Sequence, residues 1–278
     1  MPSSLRRKTL LIIGITMLGL VGGLFVLSRI VLMRGFAILE EDFAGRDIAR
    51  ASSALANELS TLDQTTSEYA TWDLTYEYAR GQRPSYIKTE FPAPTFQELK
   101  ISFVVIFDAH GRKLFAKGFD LTHGGEMPVP AGLDDHLKPG SLLLNLEDAH
   151  SKVAGVLDLP GGPALVESRP ILASDASGPS AGTMIMGHLL DAAEIQHLGD
   201  LTLMPVEAQT LSSATLSPDF RAAAAAISRG APNFISPLDS QSLAAYQELP
   251  DIYGRPALLI RVLLPRTIYQ QGQTSLVQ

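Results

Sequence analysis

Residues 9–28, TLLIIGITMLGLVGGLFVLS, contain no charged side chain. About 20 apolar residues in helical form cross a hydrocarbon core of roughly 30 Å. The run continues without a proline into residues 36–80. There the apolar side chains Phe36, Leu39, Phe43, Ile48, Ala51, Leu55, Leu59, Leu62, Tyr69, Trp72 and Tyr76 recur at three- and four-residue steps, with Thr66 at one step. That is one face of a helix. The spacing predicts an unbroken helix over 36–80, roughly 65 Å long at 1.5 Å per residue. A secretory signal peptide has a shorter apolar region and a small-residue cleavage site, so the run is taken as a retained anchor. Arg6, Arg7 and Lys8 place the N-terminus in the cytoplasm, although Arg29 and Arg34 on the other flank weaken that bias. Gly19 and Gly23 have the spacing of a helix-dimerisation motif. The expected division is a cytoplasmic tail at 1–8, a transmembrane anchor at 9–33 and an extracytoplasmic domain at 34–267. Residues 268–278 are expected to form a stub leading toward a second span.

The 278 residues carry a formal net charge of −7, and the three basic residues of the tail leave the remainder more acidic still. An acidic surface repels phosphate backbones, so no nucleic-acid partner is expected. There is no cysteine, which excludes disulfides, thiolate metal sites and cysteine nucleophiles together.

Beyond the helix, residues 81–84 break the period, and 85–97, with Pro92 and Pro94 among aromatic residues, read as a packed loop. Residues 101–107 and 113–119 form a β-hairpin around the turn Asp108-Ala-His-Gly111. Residues 164–172 and 182–190 are strands, Asp191 caps a helix to about Leu201, and 203–211 is a strand. Residues 218–228 are an alanine-rich helix. Residues 243–249 and 256–264 make a second hairpin, and 266 onward is compatible with a short helix. Strands joined as hairpins give an antiparallel sheet with helices on one side, an α+β domain.

Several residues invite a functional reading. Trp72, Asp73, Tyr76 and Tyr78 gather the only tryptophan, two tyrosines and an acid at the end of the long helix. Aromatic walls and an acid suit a ligand pocket, and they suit equally a helix packed on a sheet. Arg169 and His188 fall on strands that could be neighbours, where an arginine can clamp a carboxylate; a surface salt bridge and a satisfied histidine are the plainer alternatives. Gly178-Pro-Ser180-Ala-Gly182 matches G-x-S-x-G, but a loop precedes it and a strand follows, the reverse of a nucleophile elbow, so no catalytic residue is assigned. The six histidines show no metal-binding helical spacing, and no metal or cofactor is assigned.

Three stretches together resemble one family. They are Trp72-Asp73 at the end of a juxtamembrane helix, FVVIFDAHGRKL at 103–114, and LVESRPIL at 165–172 followed by GTMIMG at 182–187. Behind one transmembrane span they look like the fourth type of CHASE sensor domain, over roughly 36–267. The resemblance implies a PAS-like, Cache-like fold, with a long N-terminal helix packed on an antiparallel sheet and short helices. It implies a non-enzymatic sensor in the inner (cytoplasmic) membrane of a bacterial or archaeal cell, facing the periplasm or exterior. Such domains usually precede diguanylate cyclase, phosphodiesterase or histidine-kinase modules beyond a second span; here the sequence stops where that span would begin. The expected ligand contacts are Trp72, Asp73, Tyr76, Arg169 and His188, around an unknown small molecule. A homodimer is expected through the transmembrane helix and the stalk at 36–62. A membrane-anchored interaction domain without a small ligand is the alternative.

Overall fold

A computed structural model describes residues 3–146, 148–176, 178–213 and 215–275. The ends of the tail and of the C-terminal stub therefore lie outside the described residues. Helix α1 (Ser3–Ala70) is 68 residues long, which at 1.5 Å per residue is roughly 100 Å. From Leu10 to Leu32 its large apolar side chains stand exposed, and α1 is long and apolar enough to cross a membrane. Beyond that stretch one face goes under cover: Glu40, Ala44, Ile48, Ala51, Leu55, Leu62, Thr66 and Ala70 are all buried. These steps of three, four and seven keep one stripe of the helix facing inward.

The expected stalk is therefore corrected. Ile48, Ala51, Leu55 and Leu62, assigned to a dimer seam, pack instead in the core of their own chain. Only Leu39 and Phe43 of that set remain largely exposed.

The expectation of an unbroken helix to residue 80 is corrected as well. The chain stops at Ala70, turns through an extended Trp72, and resumes as α2 (Asp73–Ala79). Tertiary hydrogen bonds account for the break. The Leu172 N–H donates to the Ala70 carbonyl at 2.8 Å. Asp73 and Ser174 exchange two more bonds, from Ser174 N–H to Asp73 Oδ1 at 2.9 Å and from Asp73 N–H to Ser174 Oγ at 3.2 Å. The presumed loop at 85–97 holds two short helices, α3 (Tyr86–Glu90) and α4 (Ala93–Glu98). Pro92 caps α4 and Pro94 lies in its first turn, where no N–H is required of the chain.

Two sheets form where one was expected. The first has six strands in the order β3-β2-β1-β6-β5-β4, and its neighbours are antiparallel. They are β1 (Phe103–Asp108), β2 (Lys113–Phe119), β3 (Glu126–Met127), β4 (Val153–Leu157), β5 (Ala164–Ile171) and β6 (Gly182–Leu189). Helix α5 (Ala192–Thr202) then leads to β7 (Val206–Thr210), α6 (Pro218–Ile227), β8 (Phe234–Pro237), β9 (Ser242–Pro250) and β10 (Pro256–Pro265). These strands form the second sheet, in the order β7-β10-β9-β8. Strand β8 has no counterpart in the sequence reading.

One helix serves both sheets. α1 meets β9 and β10 in its first docked part and β5 and β6 further on, so the four-stranded sheet lies nearer the apolar end of α1. The six-stranded sheet is buried on both faces. Val104, Ile106, Met184 and Met186 face the helices, while Phe103, Val105, Phe107 and Ile185 face Leu133, Leu137 and Leu143 in the long 120–152 connection. Helices on one side thus holds for this sheet. It fails for the other, whose second face is covered by Phe220 and Ala223 of α6. The sheets touch where the Ile252 N–H donates to the Val156 carbonyl at 2.9 Å. Finally α7 (Thr267–Ser275) folds back on α1, with Gly272 pressed against the Phe36 ring.

Candidate functional site

The break after α1 brings Trp72, Asp73 and Tyr76 to the end of the six-stranded sheet farthest from the apolar helix. Trp72 is 37% exposed and meets Tyr69 edge-on, with ring centroids 5.7 Å apart. Asp73 spends its carboxylate on the Ser174 N–H. Asp73 thereby pins the helix break to the β5–β6 loop, while Trp72 packs back on α1. Beneath α2 a chain of rings fills the space down to the sheet: Tyr78 on Tyr86, Tyr86 on Phe91, Phe91 on Phe96 and Phe96 on Phe119. Tyr86 is fully buried, its hydroxyl 2.5 Å from that of Thr75, and burial raises its pKa strongly.

Tyr76 faces elsewhere. It lines an open cleft of 580 Å³ formed by the C-terminal end of α2, the β1–β2 turn and the last residues before β6. Arg80 lies over the Tyr76 ring at 5.5 Å. From the turn come His110 and Arg112, and from the loop comes Ser180. Asp108 builds the turn: its Oδ1 accepts the N–H groups of His110 and Arg112 at 2.9 Å, and its Oδ2 accepts Arg112 Nε at 3.1 Å. Although burial opposes it, these bonds hold the Asp108 pKa below its usual value. The Ser180 hydroxyl donates to the Gly182 carbonyl at 2.7 Å, and a strand follows it, the context expected from the sequence. Arg80, His110 and Arg112 were not singled out in the sequence. The hairpin turn Asp-Ala-His-Gly-Arg was the available signal, since its tip presents consecutive side chains at a sheet end.

Arg169 and His188 do lie on paired strands, but the register separates them. His188 is opposite Leu165, and Arg169 is opposite Met184. Arg169 belongs to a cluster under α1, bonding Asp63 of α1 through Nη2 and Glu167 Oε1 through Nε at 2.9 Å. Lys152 completes it, with Nζ 2.9 Å from Asp63 Oδ2. Glu167 is fully buried, and its Oε2 has no partner among the described residues. Burial and the neighbouring Asp63 push the Glu167 pKa up to about 8. For Asp63, burial is outweighed by the adjoining Glu167 carboxyl and by bonds from Arg169 and Lys152, which bring its pKa down to about 2.

His188 lies at the opposite end of the sheet, in a cleft of 520 Å³ shared with Ser102, Asp120 and Glu194. Its Nδ1 bonds the Lys100 carbonyl, and its Nε2 is 3.0 Å from Glu194 Oε2. Burial alone would lower its pKa; the Glu194 carboxylate and the Lys100 carbonyl more than offset that and raise it. The five selected residues thus divide among four places: Trp72 and Asp73 at the helix break, Tyr76 in the neighbouring cleft, and Arg169 and His188 each apart. A third groove, of 1060 Å³, runs between α5 and β7.

Comparison with known proteins gives these places a context. Residues 54–209 match the family model of the CHASE4 domain. The chain is 28% identical, over 282 aligned positions, to the methanogenesis regulatory histidine kinase FilI of Methanothrix harundinacea (strain 6Ac). That alignment covers 97% of this chain and 30% of the kinase, so the chain spans less than a third of that relative's length. Among solved structures, the extracellular domain of the putative histidine kinase vpHK1S-Z8 superposes with a TM-score of 0.57 at 12% identity, over 89% of this chain and 99% of that one. The periplasmic domain of Vibrio cholerae LuxQ gives a TM-score of 0.49 at 12% identity, over 80% and 99% of the two chains. The PAS-like, Cache-like α+β architecture expected from the sequence agrees with the first of these.

Proposed function

The chain belongs to the CHASE4 domain family of sensory domains, and on that premise we propose that it binds a small carboxylate-bearing ligand in the cleft beside Tyr76. The observation that carries this reading is the convergence of Tyr76 and Arg80 from α2 with Arg112 from the β1–β2 turn around 580 Å³ of open space. Guanidinium groups take a carboxylate in a two-pronged geometry, and an aromatic face supplies contact area. The cleft lies at the C-terminal end of α2, so a ligand that draws Arg80 toward Arg112 pulls on α2 and through it on the break that joins it to α1. Trp72 and Asp73, at that break, transmit the movement. Arg169 holds α1 to the sheet, and His188 lines a separate cleft.

In this reading residues 9–33 are the membrane anchor, 1–8 a cytoplasmic tail and 34–267 the sensor, with 268–278 leading to a second span in the cytoplasmic membrane. The chain itself is non-enzymatic. Its output is a histidine kinase, as in the 28% identical relative; a diguanylate cyclase or phosphodiesterase is the other output such domains serve. Two copies associate through the exposed apolar part of α1. The ring-filled space under α2 favours a second reading, a domain that holds a protein partner and no small ligand.

The two readings differ in a melting experiment on the full chain in lipid nanodiscs, screened against mono- and dicarboxylates. A ligand at 100 times its Kd stabilises by about 2.7 kcal/mol, a readily measured rise in Tm. The rise is expected in the wild type and should vanish in Arg80→Ala. A ligand that stabilises the variant equally would remove the cleft from consideration, and no response to any carboxylate would favour the second reading.

A further inference from the structure

One wall of the groove between α5 and β7 is a strand edge. β7 is the terminal strand of its sheet and pairs only with β10. The register fixes which main-chain groups are used. The Leu263 N–H donates to the Pro205 carbonyl, and the Leu211 N–H to the Ala257 carbonyl. In an antiparallel ladder such bonds alternate along the strand. Glu207 and Gln209 therefore point their N–H and C=O groups at β10, while Val206, Ala208 and Thr210 point theirs away from it, toward the groove; the Thr210 carbonyl is already taken by the Ser213 N–H at 3.1 Å, so the open groups are those of Val206 and Ala208 and the Thr210 N–H.

An exposed edge of this kind is usually blunted by lysine, proline, a bulge or a covering element. The β7 sequence Val-Glu-Ala-Gln-Thr has no lysine or proline, and its register with β10 is unbroken. α5 packs on the start of β7 and comes closest at Gly199. There an added Cβ would lie 3.0 Å from the Met204 carbonyl oxygen and 3.5 Å from Val206 N. Beyond it Ile195 and Ala192 stand across the groove from the strand. A helix facing an open strand edge is the arrangement by which several peptide-binding domains accept a guest strand. A five-residue edge spans roughly 17 Å, the length of a guest of five or six residues.

The lining also specifies the guest. No lysine, arginine or histidine lines it; of its acids Glu207 is paired with Arg261, Nη2 to Oε1 at 2.6 Å, which leaves Asp191 and Asp200 to set the charge of the groove. Its apolar side chains include Ile195, Met204 and Leu203; Leu203 is 91% exposed and held at φ 58°. Acidic rims over an apolar floor complement a strand whose residues alternate between basic and apolar, because successive side chains of a strand face opposite ways.

We propose that this groove docks an extended segment of a partner protein, alternately basic and apolar, which adds to β7 as a fifth strand of the membrane-proximal sheet. The site is separate from the cleft at Tyr76, and the proposal does not depend on what that cleft binds.

The test uses the full chain in nanodiscs with the acetylated, amidated hexapeptide Lys-Val-Lys-Val-Lys-Val as probe. Hydrogen exchange followed by mass spectrometry should show new protection confined to residues 203–211. N-methylation of the alternate residues that face β7 should weaken binding at least tenfold, and so should replacing lysine by glutamate in the peptide. In the protein, Asp200→Lys should weaken binding severalfold, and Ala208→Pro should abolish it. The Ala208 N–H points away from β10, so proline there leaves the existing ladder whole, and an unchanged Tm would confirm that. The proposal is overturned by any of four results: no binding at millimolar peptide, protection elsewhere, equal binding of the N-methylated peptide, or protection of 203–211 by self-association of the chain without peptide.

Discussion

Glu167 is the residue least easily accounted for by packing alone. A carboxyl group buried completely between a helix and a sheet costs free energy unless it is paired or neutral. It has one bond to Arg169 and, among the described residues, an oxygen without a donor, and the nearby Asp63 already takes Arg169 and Lys152. Burial and Asp63 raise the Glu167 pKa to about 8, whereas an unfolded chain presents a glutamate at about 4.3. Between those values the folded protein holds a proton that the unfolded chain releases, so stability must fall as pH rises from about 4.5 toward 8 and level off above. Asp63 works in the opposite sense: its lowered pKa, about 2, adds stability that is lost as pH falls below about 4. Glu167→Gln keeps the shape and removes the titration. Melts of the full chain at pH 5 and pH 8 should show a loss on the order of 2–4 kcal/mol from Glu167 in the wild type, and a clearly smaller loss in the variant, where the raised pKa of His188 still acts in the same direction. An identical slope in both would place the proton elsewhere. Only part of this cluster was legible in the sequence. Arg169 stood out as an arginine on a strand, but its partner Asp63 lies 106 residues away. Nothing short of the strand register and the angle at which α1 docks brings those two together. Trp72 and Asp73 were conspicuous by composition, yet the Ser174 that Asp73 engages is likewise a product of the tertiary fold.

At the scale of elements, what sequence conveys best is periodicity and what it conveys worst is interruption. The helix face, the β1–β2 and β9–β10 hairpins, the Asp191 cap and α6 follow from local pattern. The Asp191 cap is realised by its Oδ1 accepting the Glu194 N–H at 2.9 Å. The break after Ala70 has no proline or glycine to announce it; the bonds from Leu172 and Ser174 impose it. Pro92 and Pro94 suggested a loop, but at the start of a helix proline is compatible with the fold. The docking of α7 is of the same nonlocal kind. Glu40 and Arg266 are buried, and Arg266 Nε bonds Glu40 Oε2 at 2.9 Å. The Arg266 guanidinium also lies 4.1 Å from the centre of the Tyr269 ring. Moving down α1 from Glu40 to Phe36 corresponds to moving up α7 from Tyr269 to Gly272, so the two helices are antiparallel. The strand that leaves the second sheet is thereby clamped to the helix that enters it. Removing one member of a buried ion pair costs about 3–5 kcal/mol, because the other is left uncompensated. In Glu40→Ala, amide exchange in residues 267–275 should rise toward that of an unprotected segment while β1 and β6 keep their protection. The double variant Glu40→Leu with Arg266→Met should recover most of it. If α7 stays protected in the single variant, the Phe36–Gly272 contact holds the helix by itself.

Across the whole molecule, two sheets hang on one helix, and this arrangement changes what the long helix can transmit. A stalk free from residue 36 to 62 could flex or twist on its own. Docked from Glu40 to Ala70, α1 moves only if both sheets let it, and its exposed apolar part begins immediately below. The sequence shows that the helix is long and amphipathic. Whether its apolar stripe meets a second copy or its own chain depends on strands 100 to 200 residues downstream, and the stripe looks the same in either case. A two-residue Gly-Ser insertion separates the possibilities, since each residue turns a helix by about 100° and two turn it by about 200°. Placed after Gly45, it directs either the Glu40–Ala44 side or the Ile48–Ala70 side of the stripe into solvent. Gly45 itself faces Asn233 and Ile235 of the four-stranded module. Exposing Ile48, Leu55 and Leu62 costs about 1.5–3 kcal/mol each, so the Tm of the full chain should fall by many degrees. Placed after Gly35, ahead of the first buried residue Glu40, the same insertion should leave the Tm within about 2 °C, as a surface change does. Joined to a histidine-kinase output, the Gly35 insertion should nevertheless silence any ligand response, because the rotation falls between an intact sensor and the membrane. A response that survives there would mean that the signal leaves through α7 alone, by way of the Glu40–Arg266 clamp, and that α1 serves only as the anchor.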